Sequence, residues 1–309
     1  MLLQRKIFLT YFFGSVFAIF FLHRCFNHNA STFMRNRFIA LCLFVFFTTS
    51  LFAQDQLSQN RTEKLYQRGV DLVNHSNYGA ARAVFTEFLS LASPSDSRRG
   101  EAEYYVAFSA LSLGHKDGEK LIDGFIENNP SSPRASTAYY DLATFFYAEG
   151  NYTKASQYFK KVNFPALTAD QQSQGHFKWG YSYFNQKKLE EALEQFNFVK
   201  RLSNAYSPAA SYYAGFIEYS KSQFDEALFD LKKAESNPSY AKIVPYLIAN
   251  IYYKQGRYDT LIEYANSLKG KDVSNTSEIA MLVAEAQYFK GDFKNAIASY
   301  QKYFESNAK

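Results

Sequence analysis

The sequence predicts an all-α solenoid of about seven helix–turn–helix repeats, and three observations support this prediction. Prolines fall between the repeats, and an alanine stands early in the second half of most of them. A small residue recurs at spacings of 38, 36, 37, 35, 34 and 35, at Gly69, Ala107, Ala143, Gly180, Gly215, Ala249 and Ala284. A period near 34 residues is typical of helix–turn–helix arrays.

Residues 1–53 differ in composition from the rest of the chain, and we predict that they form a leader. They contain both cysteines, Cys25 and Cys42, and five basic residues with no Asp or Glu. Five of the 34 basic residues lie here, which leaves 29 basic and 29 acidic residues in the rest of the chain. The formal net charge of +5 therefore belongs to the leader, and it gives no reason to expect a nucleic-acid partner.

The leader has the order of segments that is typical of a secretory signal peptide. Its apolar stretches, residues 7–22 and 38–47, are both shorter than the roughly 20 residues of a membrane span. The second stretch follows Met34 and two arginines and leads to Ala53, as in a charged start, an apolar middle and a small residue before the cut. We therefore predict a signal peptide over residues 34–53, cleaved after Ala53.

The predicted signal peptide determines how the remaining segments are interpreted. Residues 1–33 then result from a translation start assigned too far upstream, or they form an additional leader. Residues 54–61 form a short linker, and residues 62–309 form the solenoid. We expect the mature chain in the periplasm or at the outer membrane, without cysteines for disulfides or thiolate metal sites. The alternative is a hairpin of two membrane spans, in which an uncleaved leader anchors the protein.

The second helix of each repeat has one apolar face. Twelve residues after the small residue, five repeats have an alanine, and apolar residues follow four and seven positions later, as in Ala192, Phe196 and Val199. These residues share one helix face, and a small residue on the facing helix allows close approach. Glu119 and Leu261 replace the alanine in the second and sixth repeats, so we expect those two joints to pack less tightly.

The ends of the predicted helices follow from the prolines. Pro245 falls near the start of a first helix, where it is tolerated, and the other six fall between repeats: Pro94, Pro130, Pro133, Pro165, Pro208 and Pro238. Helices of about a dozen residues are marginal alone, so each pair depends on its neighbours. The sequence stops on a second helix without a polar cap, which predicts either more protein downstream or a self-associating end.

The small residue, the alanine and the two apolar residues together resemble the motif of the tetratricopeptide repeat family. The resemblance covers about residues 60–309. It implies a right-handed solenoid whose concave groove binds other proteins. The chain also looks like the exported repeat proteins of the bacterial cell envelope, which scaffold outer-membrane assembly or cell-wall machinery.

No pattern in the sequence predicts catalysis. His75, His115 and His176 lie in three different repeats and have no metal-ligand spacing. Nucleophile motifs, phosphate-binding loops and clustered carboxylates do not occur. We predict no enzymatic activity, no cofactor and no metal, and an enzyme would need a catalytic domain beyond Lys309. Trp179, next to Gly180 on the buried side of its helix, is expected in the core.

Aromatic residues recur at two positions of the first helices, seven residues apart on nearly the same face. The resemblance places this face in the concave groove. With two further rings next to the small residue, they form the predicted protein-binding groove: Tyr66, Tyr104, Tyr140, Tyr147, Phe177, Tyr181, Phe184, Tyr212, Phe216, Tyr219, Tyr246 and Tyr253. The same rings also fit a second interpretation, in which they only stack between repeats.

These features predict a non-enzymatic interaction scaffold of the bacterial cell envelope. It binds a peptide or helix of a partner protein, without nucleic acid, and it contacts the membrane only through an uncleaved leader. Tyr181 and Phe216 stand where some family members clamp a terminal carboxylate with lysine or asparagine, so no such clamp is expected. Glycan binding on the same aromatic face is the alternative function.

Overall fold

Residues 59–307 are described by the structure, a computed structural model, and within this range they form fourteen α-helices and one short 3-10 helix, without a strand. The leader, its predicted cleavage after Ala53 and residues 54–58 lie outside the described residues. The α-helices are α1 (59–74), α2 (Tyr78–Leu91), α3 (Arg99–Ser112), α4 (Gly118–Asn128), α5 (Pro133–Ala148), α6 (Tyr152–Phe159), α7 (Ala169–Asn185), α8 (Leu189–Val199), α9 (Ser207–Ser220), α10 (Phe224–Glu235), α11 (Val244–Lys254), α12 (Tyr258–Ser267), α13 (Thr276–Phe289) and α14 (Phe293–Asn307).

Successive helices pair into seven units, so that α1 and α2 form unit 1 and α13 and α14 form unit 7. Each odd-numbered helix contains one of the predicted small residues, and each even-numbered helix contains the alanine or its replacement. Packed helices follow one another along the chain. The predicted all-α solenoid of about seven repeats is therefore confirmed. No helix within residues 59–307 is both long enough and apolar enough to cross a bilayer.

The turn inside each unit has the same backbone geometry. One residue with positive φ follows the first helix, at Ser76, Gly114, Gly150, Lys187, Ser222, Gly256 and Gly291. The amide of the next residue donates a hydrogen bond of 2.8 to 3.0 Å to a carbonyl five positions back, as from Asn151 to Phe146. This is a Schellman ending. It directs the second helix back along the first in the same way seven times.

Close contact inside a unit depends on the small residues. A Cβ atom added at Gly69 would lie 2.6 Å from Cζ of Phe85, and one added at Gly215 would lie 2.8 Å from Cγ of Leu231. Phe85 and Leu231 are fully buried. Because the first helix has glycine at this position, the large apolar side chain of the second helix can occupy the space next to its backbone.

Unit 2 keeps this close contact although Glu119 stands in place of the alanine. A Cβ atom added at Gly118 would lie 2.6 Å from the Cα atom of Leu111, so the helices meet one residue earlier. The Glu119 carboxylate points to the next unit, where Lys154 Nζ and the Tyr158 hydroxyl each donate to it at 2.6 Å. Within unit 2, α3 and α4 nevertheless come close over fewer residues than the helix pairs of units 3, 4, 5 and 7, which agrees with the expectation of looser packing.

Leu261 of unit 6 is fully buried, and it belongs to the same apolar cluster as Ile248, Ala249 and Leu268. The larger side chain fills the joint, but α11 and α12 come close over fewer residues than the helix pairs of units 2, 3, 4, 5 and 7, as expected for looser packing in unit 6.

Replacing Gly215 by alanine should lower the free energy of unfolding by about 1 to 2 kcal/mol, because overpacking at Leu231 exceeds the gain in helix propensity. The matched control is Gly124→Ala, since Gly124 also lies inside a helix but a Cβ there meets nothing within 4 Å. The control should raise stability by up to about 1 kcal/mol. Urea unfolding measures both, and equal effects would show that space at Gly215 is not limiting.

Candidate protein-binding groove

Three tyrosines of the predicted groove lie in the core and connect successive units. Tyr66, Tyr104 and Tyr140 are 9%, 4% and 5% exposed. Their hydroxyls donate to Glu101 at 2.5 Å, to Asp141 at 2.6 Å and to Gln174 at 2.5 Å, each on the first helix of the next unit. Burial raises the pKa of Asp141 to about 6. These tyrosines therefore present little ring surface to a ligand.

The three later members of the same column are half-buried. The ring centroid of Phe177 lies 5.5 Å from that of Tyr206 and 5.8 Å from that of Phe196. Tyr212 stacks on Tyr240 with a centroid distance of 5.0 Å. The hydroxyl of Tyr246 accepts a hydrogen bond of 3.4 Å from Asn250. This column thus packs mostly within and between units.

The second column, seven residues further on, is partly exposed from unit 3 to unit 6. Its members Tyr147, Phe184, Tyr219 and Tyr253 are all half-buried. Three of them lie against the aromatic residue that opens the following helix, with centroid distances of 5.8 Å to Tyr152, 6.3 Å to Phe224 and 6.1 Å to Tyr258. Those helix-opening rings were not among the predicted groove residues, and the structure adds them to the surface.

Tyr181 and Phe216 connect the second column across units. Tyr181 lies 5.8 Å from Tyr147, and Phe216, which is 36% exposed, lies 5.9 Å from Phe184. We call the resulting surface the aromatic band: Tyr147, Tyr152, Tyr181, Phe184, Phe216, Tyr219, Phe224, Tyr253 and Tyr258. It spans units 3 to 6.

The aromatic band is mostly uncharged. Burial raises the pKa of Tyr147 to about 12. The pKa of Tyr253 is also about 12, because its hydroxyl bonds to Glu285 and is partly buried. Tyr219 donates a hydrogen bond of 2.8 Å to Asn250, which adds an amide next to the rings. At neutral pH the band therefore offers apolar ring surface and hydroxyl groups.

A buried charged cluster that no sequence pattern predicted lies outside the aromatic band. Lys200, at the end of α8, forms ion pairs with Glu218 of α9, at 3.4 Å, and with Asp230 of α10. Glu218 is 5% exposed and Asp230 is 1% exposed. Burial is the largest cause that raises the pKa of Glu218, to about 7, and Asp230 adds to it. The cluster connects units 4 and 5.

The histidine and tryptophan that the sequence singled out are packing residues. The His176 ring lies between Phe164 and Phe198, with centroid distances of 4.0 Å to each, and its Nδ1 is 2.8 Å from Gln195 Oε1. Burial lowers the pKa of His176. Trp179 stacks on Phe164 at 5.7 Å. Within residues 59–307 no group of His, Cys, Asp and Glu could hold a metal ion.

Comparison with known families supports tetratricopeptide repeats as the class of unit. Residues 109–167 match the model of the tetratricopeptide repeat family. This segment runs from the end of α3 through unit 3 and into the loop before α7. Proteins of this family generally mediate protein–protein interactions, and the fold is typically a non-enzymatic scaffold. No catalytic family is indicated, and no curated protein sequence matches the chain.

Several solved structures are similar to the chain at low identity. A tetratricopeptide repeat protein from Parabacteroides merdae is 12% identical, with 80% of this chain and 93% of that chain covered and a TM-score of 0.46. The pilF protein of Pseudomonas aeruginosa is 17% identical, with 69% and 92% covered and a TM-score of 0.42. A kinesin light chain from Podosopora anserina with tetratricopeptide-like repeats is 15% identical, with 57% and 97% covered and a TM-score of 0.41.

Stability should depend on pH through Glu218. The ordinary pKa of a glutamate is 4.5, and the pKa of Glu218 in the folded protein is about 7. Between these two values Glu218 is ionised in the unfolded chain but still protonated in the folded protein, so the free energy of unfolding falls as pH rises. Glu218→Gln should therefore gain roughly 1 to 3 kcal/mol relative to the native protein between pH 5 and pH 8. Urea unfolding at both values measures this gain.

The control for the pH experiment is Glu190→Gln, because the Glu190 side chain is 72% exposed in its ion pair with Lys221. This variant should change little at either pH. A gain for Glu218→Gln that is the same at pH 5 and pH 8 would contradict the raised pKa of Glu218.

Proposed function

We propose that this protein is an exported scaffold of the bacterial cell envelope that binds a peptide or helix of a partner protein along the aromatic band. The observation that carries the proposal is the continuous run of partly exposed rings in the aromatic band. Tyr66, Tyr104 and Tyr140 direct their hydroxyls into the next unit, whereas the aromatic band leaves ring surface open across four successive units. Exposed aromatic surface is a common feature of binding sites.

Glycan binding is the second candidate for the aromatic band. Sugar sites commonly place Asp, Asn or Arg beside the rings. Asn250, which accepts a hydrogen bond from Tyr219, is such a group at the unit 6 end of the band. The apolar contacts between Phe184, Phe216 and their neighbours in units 4 and 5 favour an apolar protein segment there.

Export rests on the order of residues in the leader. The segment from Arg35 to Ala53 supports cleavage before Gln54, and the lack of cysteine in residues 54–309 suits an oxidising compartment. N-terminal sequencing of the secreted protein tests the site, and a start well upstream of Gln54 would contradict it.

Phe216→Ala should weaken peptide binding by about 1 to 3 kcal/mol while changing stability little, because its ring is partly exposed on the aromatic band. Phe196→Ala should instead cost a few kcal/mol of stability, because Phe196 is fully buried. The binding probe is a set of peptides selected by the native protein from a random phage-displayed library, and thermal unfolding measures stability. Unchanged affinity in Phe216→Ala would show that the band only packs the units.

Self-association through unit 7 is a further part of the proposal. Phe293, Ile297 and Phe304 are 57%, 58% and 62% exposed, and their spacing of four and seven residues places them on one side of α14. Leu228 occupies the same position in unit 5 as Ile297 does in unit 7, and it is only 7% exposed because unit 6 covers it. The exposed residues near the start of α1 are mainly charged, such as Arg61, Glu63 and Lys64. This difference between the two ends favours contact between two copies of α14.

Ile297→Asp should weaken dimerisation at least about tenfold, because a carboxylate would be buried without a partner. Analytical ultracentrifugation of the protein purified after expression of the full chain measures it. The control is Lys254→Asp, an exposed change at the end of α11. A native protein that stays monomeric at high concentration would contradict self-association.

A further inference from the structure

Half-buried basic residues in the described part of the chain have anionic or carbonyl partners, with one exception. Seven lysines and arginines within residues 59–307 are half-buried. Six of them form ion pairs or hydrogen bonds: Arg82 with Asp117, Arg98 with Asp96, Arg99 with the carbonyls of Leu89 and Ala92, Arg134 with Glu101, Lys154 with Glu119, and Lys200 with Asp230. The seventh is Lys178.

Lys178 lies on α7 and has no such partner among the described residues. The Lys178 ammonium group instead faces an aromatic ring, with Nζ 5.6 Å from the ring centroid of Tyr147. Burial lowers the pKa of Lys178, and no carboxylate opposes this effect. A charged group removed from water without an ionic partner is unfavourable. A cation–π contact replaces only part of the lost hydration.

The position of Lys178 connects it to the aromatic band. Tyr147 belongs to the band, and its ring also contacts those of Tyr152 and Tyr181. Tyr181 and Phe184 are on the same helix as Lys178. The unpaired ammonium group therefore lies next to band rings where units 3 and 4 meet.

We propose that Lys178 binds the carboxylate of an Asp or Glu side chain in the segment that occupies the aromatic band. This inference rests on the proposed function and specifies the chemistry of the partner: an apolar segment with one acidic residue that reaches the boundary of units 3 and 4. The carboxylate supplies the missing counter-ion, and Tyr147 and Tyr181 contact the apolar residues on either side of it.

The charge at this position favours a carboxylate over a phosphate group. Among residues 59–307, Lys178 is the cation that lies over a ring of the aromatic band, and it offers one positive charge. A phosphorylated residue carries about −1.5 to −2 near neutral pH and would leave uncompensated negative charge beside apolar rings. One carboxylate matches one ammonium group.

The test uses peptides selected from a random phage-displayed library by the native protein. The selected peptides should share an Asp or Glu at a fixed distance from apolar residues. For a selected peptide, Lys178→Met should weaken binding roughly 10- to 100-fold, the range of a hydrogen-bonded charge pair. Methionine keeps an unbranched chain beside Tyr147 and removes only the charge. Replacing the acidic residue of the peptide by its amide should cause the same loss with the native protein and no further loss with Lys178→Met.

The matched control is Lys188→Met. Lys188 also has its Nζ near one ring, 5.9 Å from the centroid of Tyr183, but it is exposed and Tyr183 is outside the aromatic band. This variant should bind the peptide with unchanged affinity. A second readout needs no variant: the pKa of Lys178, followed by NMR, should rise when the peptide binds, and a pKa that does not rise would overturn the inference.

The outcomes separate this inference from the proposed function. Two outcomes would overturn the role of Lys178 and leave the proposed function standing. In the first, the selected peptides bind through Phe216 but share no Asp or Glu at a fixed position. In the second, replacing the acidic residue of the peptide by its amide weakens binding to the native protein and to Lys178→Met by the same factor. A requirement for a free peptide C-terminus, tested with amidated synthetic peptides, would assign Lys178 to a terminal carboxylate instead and would also overturn it. Failure to select any peptide would overturn both.

Discussion

The array depends on one contact, in which a small residue of the first helix accommodates a large apolar side chain of the second. At Gly69 and Gly215 an added methyl group would overlap Phe85 and Leu231. Because the interior is close-packed, this contact determines the separation of the two helices in a unit. The Schellman turn repeats their direction, so neighbouring units offer one another similar surfaces and the stack can continue.

Contacts between units determine which part of the surface remains open to a ligand. Tyr66, Tyr104 and Tyr140 place both ring and hydroxyl in the joint with the next unit. In the second column, Tyr147, Tyr219 and Tyr253 pack against helix-opening rings and keep part of their surface exposed. The same units also bury ions. Lys200 is balanced by two carboxylates, whereas Lys178 faces a ring. The Lys200 ion pairs are part of the joint between units 4 and 5. Lys178 instead takes its anion from the bound partner, as proposed above.

The sequence also predicted the irregular units incompletely. Glu119 and Leu261 interrupt the alanine pattern, and both positions suggested weaker joints. In unit 2 Gly118 allows the close approach, while Glu119 accepts hydrogen bonds from Lys154 and Tyr158 of unit 3. The looser packing expected within the repeat is present, and contacts with the next repeat, about 35 residues away, offset part of it.

The sequence by itself determined the class of fold, the number of units and the residues at each helix pair, because these follow from local periodicity and from side chains that meet within one unit. The twelve residues from Gly180 to Ala192 run from the middle of one helix, through a turn, to the start of the next helix. This spacing is set within one repeat and does not depend on the other repeats. Tertiary structure alone decided which of the aromatic rings are buried. Tyr66, Tyr104 and Tyr140 are buried at the joint with the next unit, where their hydroxyls reach Glu101, Asp141 and Gln174. The rings of both columns in the later units, on nearly the same helix face, stay half-buried. The same holds for Lys178, because a missing counter-ion is visible only when all neighbouring units are in place.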